Sequence, residues 1–215
     1  MAQLTSGLAI KALSLLASLA LAAAMESTSF AESGARQTPP VREINVTSDS
    51  EPGWLPSIEQ SHLAEAAAKD YLAAADSGNA ESAYQYFSDL NKQNMSFDAY
   101  KSNLQQFNAQ AGPLIEHQIV KVTWTKNSPS APIPGVYAAI DLASRYANVD
   151  RDCGYLILYQ PPPGGDFRVM REETNMIDNT TAASIAQMHS RAALDQKWAE
   201  LSANCPNYAV FSAKP

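Results

Sequence analysis

Charged residues make up only 17% of this 215-residue chain, and its Lys and Arg never cluster. Nucleic-acid backbones and anionic lipid surfaces are held by grouped basic side chains. Neither is expected as the main partner, and a formal net charge of -7 points the same way. Cysteine is scarce as well: there are two, Cys153 and Cys205, with no CxxC pair and no histidine at ligand spacing from either. The three histidines, His62, His117 and His189, fall on different predicted elements. No metal centre is expected from such a set. The chain also lacks GxSxG, HExxH and a phosphate loop. Gly164-Gly165 is followed by neither a helix nor a Lys and reads as a turn. No cofactor is expected.

What is present begins at the N-terminus. Lys11 precedes the uncharged apolar run Ala12 to Met25. That run is shorter than the roughly 20 residues a bilayer-spanning helix needs, and it fits the apolar region of a secretory signal peptide. Ser29 and Ala31 flank Phe30 as small residues, so cleavage is expected after Ala31, or alternatively after Ala23 or Ala24. The other reading of the run is an uncleaved anchor helix. No Cys follows it, which argues against a lipid anchor. The expected setting is periplasmic or secreted, with no membrane attachment after cleavage. In an oxidising compartment two lone cysteines pair, and closing the loop between Cys153 and Cys205 stabilises a fold by roughly 4 kcal/mol in the chain-entropy model. Two buried free thiols are the alternative.

Residues 1–31 are thus read as signal peptide and 32–56 as a tether rich in Pro, Ser, Thr and Glu, with a short strand at Ile44 to Thr47. Helical periodicity then starts. Leu63, Ala67, Tyr71 and Ala74 predict a helix over Ile58 to Ala75 closed by Gly78. Ala83, Tyr84, Phe87 and Leu90 predict a second helix over Asn79 to Leu90. Ser96 caps a third, striped by Phe97, Tyr100, Leu104 and Phe107 and ended by Gly112-Pro113. The period then changes to that of strands: Leu114 to Lys126, Val136 to Tyr146, Cys153 to Gln160 and Phe167 to Met176. A last helix is predicted from Thr181 to about Asn204, with Ile185, Met188, Ala192, Trp198 and Leu201 inward. Helices first, then consecutive strands, then a helix, predict an α+β domain over 57–178 with the 179–215 segment packed on it. The N-terminal helices are expected on one face of a curved antiparallel sheet.

Three segments carry a resemblance: AAAKDYLAAADSGNAESAYQYFS (Ala66 to Ser88), the Phe97/Tyr100 helix, and APIPGVYAAIDLASRYAN (Ala131 to Asn148). They resemble the bacterial family called domain of unknown function 4019 and, more broadly, the cystatin-like or nuclear-transport-factor-2-like cone fold. The resemblance covers Leu63 to Asp178. It departs at Glu116-His117, where the family tends to have Ser-Arg, and at Phe167-Arg168-Val169, which stands in for Trp-Arg-Val. It implies a fold and a compartment and brings no chemistry.

Cone folds of this type hold a pocket between sheet and helices, and enzymes built on them place an acid or base with a Tyr or His inside it. In the second long strand, Val136, Ala138, Ile140, Leu142 and Tyr146 face one way, while Tyr137, Asp141 and Arg145 face the other. Asp141 as base, Tyr137 as donor and Arg145 as anion clamp form one candidate set; a solvated outer face is the plainer reading. His117 beside Glu116 is the histidine placed nearest a pocket mouth, or else an ordinary surface histidine. Three functional classes follow. The leading one is an accessory module that binds a small-molecule ligand or a protein partner, and it predicts an apolar pocket without a buried acid. The second is an isomerase- or dehydratase-type enzyme, which predicts Asp141 or His117 pointing into the pocket. The third is an assembly component that homodimerises through the sheet.

Overall fold

The computed structural model describes residues 43–201, so the predicted leader, its cleavage site and Cys205 lie outside the described residues. The first strand, β1 (Glu43–Thr47), falls where a short strand was expected. Helix α1 (Ile58–Asp76) starts on a capping box in which Ser57 accepts from the Gln60 amide while the Gln60 side chain accepts from the Ser57 N–H. It ends on Gly78, whose φ of +74° suits glycine. There the Gly78 N–H donates to Ala75 O and the Asn79 N–H to Ala74 O, closing the helix in a Schellman turn.

Where one helix was expected over Asn79 to Leu90, the chain forms two, α2 (Ala80–Gln85) and α3 (Asp89–Asn94). The break has a tertiary cause. Phe87 leaves the helical path to bridge Val169, and the Ser88 N–H donates to Val169 O at 2.9 Å. Ser88 then caps α3. Helix α4 (Phe97–Ala111) follows from Ser96 as the sequence predicts.

Four long strands follow: β2 (Leu114–Lys126), β3 (Val136–Tyr146), β4 (Val149–Gln160) and β5 (Arg168–Asp178). They pair in sequence order as antiparallel neighbours. β1 lies beside β2 in parallel, so the sheet is mixed and five-stranded, not wholly antiparallel. The reason lies in the chain path: α1 to α4 intervene between β1 and β2, a crossover long enough to bring the chain back in the same direction. β1 is pinned by Trp124, whose indole N–H donates to Asn45 Oδ1 at 2.7 Å. The main core lies between the helices and one sheet face, with Ala64, Ala68, Tyr71, Ala138, Ile140, Leu156 and Leu158 fully buried.

The C-terminal segment forms two helices where one was expected, α5 (Asn179–Met188) and α6 (Arg191–Leu201), with Asp178 as the first cap. The interruption at His189 and Ser190 resets the helical phase. Leu194 and Trp198 face inward against Cys153 and Ile177, whereas Met188 is 67% exposed and Ala192 is exposed too. Cys153 and Asp152 alternate along β4, so α5 and α6 cover the face opposite the main core. Buried Arg151 ties α6 down through Asp195 at 2.9 Å. The described part is therefore α+β, with six helices and one mixed sheet. Among the described residues, no helix is long and apolar enough to cross a membrane.

Candidate functional site

Between α1, α4 and the sheet lies a cavity of about 530 Å³. Its apolar walls come from both layers, including Leu72, Leu104 and Phe107 from the helices, Phe87 from the link between α2 and α3, and Leu142 and Leu156 from the strands. Ionisable groups converge at one part of it. α1 delivers Asp76 as its last residue, because the Schellman turn stops the helix there. β2 delivers His117, β3 Ser144 and Tyr146, β4 Asp152, and β5 Glu172.

His117 is the hub. Its Nε2 lies 2.7 Å from Asp76 Oδ2, and its Nδ1 lies 2.8 Å from Ser144 Oγ. Both side chains of the His117–Asp76 pair are largely shielded, at 16% and 14% exposure. The Tyr146 hydroxyl points at the other Asp76 oxygen, and its ring meets the imidazole edge to face. Ser144 is buried and also hydrogen-bonds Asp152. Asp152 is 3% exposed, and its Oδ1 has no hydrogen-bond partner. Burial pushes its carboxyl up to about 7, against the opposing pull of Ser144 and His117.

This chain of groups has two proton arrangements. In one, neutral Asp152 donates to Ser144 Oγ, the Ser144 O–H donates to His117 Nδ1, and His117 Nε2–H donates to Asp76. In the other, Asp152 is ionised and His117 is an imidazolium: Nδ1–H donates to Ser144, whose O–H now donates to Asp152. Both contain the same number of protons. They differ by a shift of two protons through the serine hydroxyl, which links Asp152 to His117.

A second chain runs beside the first. The Tyr100 hydroxyl donates to Tyr71 Oη at 3.3 Å, and Tyr71 donates to Glu172 through a short bond. Glu172 is walled in by protein yet reached by solvent through the cavity. Burial raises its carboxyl, the Tyr71 hydrogen bond works the other way, and the Asp76 charge adds to the rise. Tyr100 is pushed up to about 12, chiefly by desolvation, so its phenol stays protonated near neutrality.

The candidate set read from the sequence divides. His117 lies in the cavity, and its expected place at a pocket mouth becomes one within the polar wall. Asp141 and Tyr137 do not line the cavity. Asp141 is half-buried on the opposite strand face across from Lys121, and Tyr137 donates to Ile133 O at 2.6 Å and packs on Tyr159. Arg145 sits across from Glu116 in the β2–β3 register. Sequence reasoning missed Asp76, Ser144, Asp152 and Glu172. Ser144 had a signal: it is the single polar position in the apolar phase of β3, between Leu142 and Tyr146. Asp152 shows the same break in phase ahead of Leu156 and Leu158. Cys153 is buried; its expected partner Cys205 lies outside the described residues.

Residues 67–171 match a family model described as a protein of unknown function (DUF4019). The match takes in Asp76, His117, Ser144 and Asp152 and stops at Arg171, one residue before Glu172, so most of β5 and the start of α1 lie outside it. Neither a curated protein nor a solved structure matches the chain.

Proposed function

We propose that the protein binds a small organic molecule in its cavity and catalyses proton transfer on it, as isomerases and dehydratases do; the DUF4019 match over residues 67–171 brings no activity with it. The observation that supports this most is Asp152: a buried acid at the cavity wall with one oxygen unpartnered and the other side linked through Ser144 to the His117–Asp76 pair. A purely adhesive pocket has no need of such a group, whose burial is costly unless it is used. A carboxyl held at about 7 is matched to exchanging protons near neutrality. In this reading Asp152 is the acid or base facing the substrate. His117 is a positioning residue that resupplies or stores the proton through Ser144, and Asp76 fixes its orientation. The binding-module reading is weakened by the buried acids, since it called for a pocket without them.

The test is deuterium exchange or loss of water in D2O, with a panel of small carbonyl compounds, some bearing an amine. We expect exchange at an activated C–H with the parent chain and a loss of about 10²–10⁴-fold in Asp152→Asn. Ser144→Ala should shift the pH profile as well as the rate, since it cuts the link to His117. Exchange that persists in Asp152→Asn sinks the assignment.

Export belongs to the same reading. Cys153 is buried on the face covered by α5 and α6, and Cys205 follows shortly after the end of α6. Mass measurement of the product secreted from a bacterium should find a chain beginning after Ala31 and lighter by two hydrogens than its reduced form. A product that retains Met1, or whose mass reductant leaves unchanged, would remove export or the Cys153–Cys205 bond from the account.

A further inference from the structure

The cavity's charge is one-sided. Asp76, Asp152 and Glu172 reach it from three elements, and His117 is the one basic group among them. Arg171 stands at the rim, held by Glu173 at 2.6 Å with its guanidinium over the Tyr155 ring. It does not neutralise the acids within. Aromatic rings line the remaining space, Phe87 and Tyr100 against each other and Phe107 against Tyr146. Carboxylates beside aromatic faces attract cations twice over, by charge and by the ring quadrupole. An anion entering this space would meet the acids with no counter-charge. An acidic cluster alone would not make a site. Here the acids line a cavity built between two layers, and Asp152 in its lining is 3% exposed with one shielded oxygen lacking a hydrogen-bond partner.

We propose that the ligand of this cavity is a small organic cation, a protonated amine on an apolar or aromatic body, whose ammonium sits against Asp152 and Glu172 while its body rests on Phe87, Leu104 and Phe107. The proposal rests on the reading of the cavity as a small-molecule site and adds the chemical class. It also fixes a sign for proton coupling. The groups facing Asp152 are Ser144 and Tyr146 from β3, His117 from β2 and Glu172 from β5. A bound cation favours ionised Asp152, so binding near neutral pH releases protons and tightens as pH rises.

The test uses isothermal titration calorimetry on the full chain with tryptamine, tryptophol and indole-3-acetate, which share a body and differ in charge. Tryptamine is expected to bind at least about tenfold more tightly than tryptophol, with indole-3-acetate not bound. Glu172→Gln keeps an acceptor for the Tyr71 hydroxyl and should remove most of that preference. Glu81→Gln, at an exposed position of α2 that does not line the cavity, should leave it intact and so exclude attraction by overall negative charge. Titration of the parent chain in two buffers of different ionisation enthalpy should show proton release, a readout that needs no variant. Tryptophol or indole-3-acetate binding as tightly as tryptamine overturns the cation assignment and leaves the small-molecule reading standing. Equal effects of Glu172→Gln and Glu81→Gln, or proton uptake on binding, also overturn it. Failure of all three compounds to bind sinks both.

Discussion

Asp152→Asn is expected to make the protein more stable, not less, and only above acidic pH. The carboxyl is raised from 3.8 to about 7 by burial, so the folded chain holds a proton that the unfolded chain has released. Wherever the native state binds more protons, stability falls as pH rises. This group therefore costs nothing below about pH 4, an increasing amount between there and 7, and a constant amount above, on the order of 4 kcal/mol for the full shift. An asparagine copies the neutral acid: its amide N–H can donate to Ser144 where the O–H did. Thermal unfolding at pH 4, 6 and 8 should show the two chains converging at the acid end and separating by several degrees at pH 8. A variant less stable than the parent at pH 8 would mean that the ionised Asp152 is stabilised by its partners more than it is penalised by burial. The gain in stability and the loss of exchange chemistry predicted for the same substitution form a trade between function and stability at one residue.

The opposite result is expected at His117. Its imidazole is held at both nitrogens, and its hydrogen bond to Asp76 is largely shielded from solvent. His117→Ala leaves the Asp76 carboxylate with only the distant Tyr146 hydroxyl among its side-chain partners. Breaking one side of a buried pair costs about 3–5 kcal/mol, most of it from the charge left behind. Urea unfolding of His117→Ala should lose about that much. Adding Asp76→Asn should recover part of it, giving a coupling above about 1 kcal/mol in the double-mutant cycle. Additive effects would show that the two side chains do not depend on each other.

How much of this was legible depended on which forces act locally. β2 and β3 keep the limits read from the sequence, because period-2 burial is written residue by residue. α1 and α4 are equally plain, since Ser57, Gly78, Ser96 and Gly112 mark their ends. The misread helices fail for a different reason. Phe87 bends the chain to reach Val169, a strand that follows much later, and nothing near Phe87 announces it. β1 runs parallel because of where the intervening helices return the chain.

The site follows the same division. Asp141 drew attention as an acid on a polar strand face, yet a polar face is where an acid is least unusual. The informative acids and hydroxyls sit out of phase: Ser144 and Asp152 occupy positions where each strand otherwise buries apolar side chains. Asp76 stands in the run Asp-Ser-Gly that ends α1. Its second role appears only when β2 is laid against the helix end.

That double role has a further side. The C-terminal end of a helix carries the negative pole of its macrodipole and favours cations within the last turn. α1 has no basic residue in its last turn and ends on a carboxylate. His117, arriving from β2, takes the place that a lysine or arginine of the helix itself would have filled. The imidazole is therefore a helix-end partner borrowed across the fold, and its removal leaves the carboxylate at the terminus of α1 unanswered.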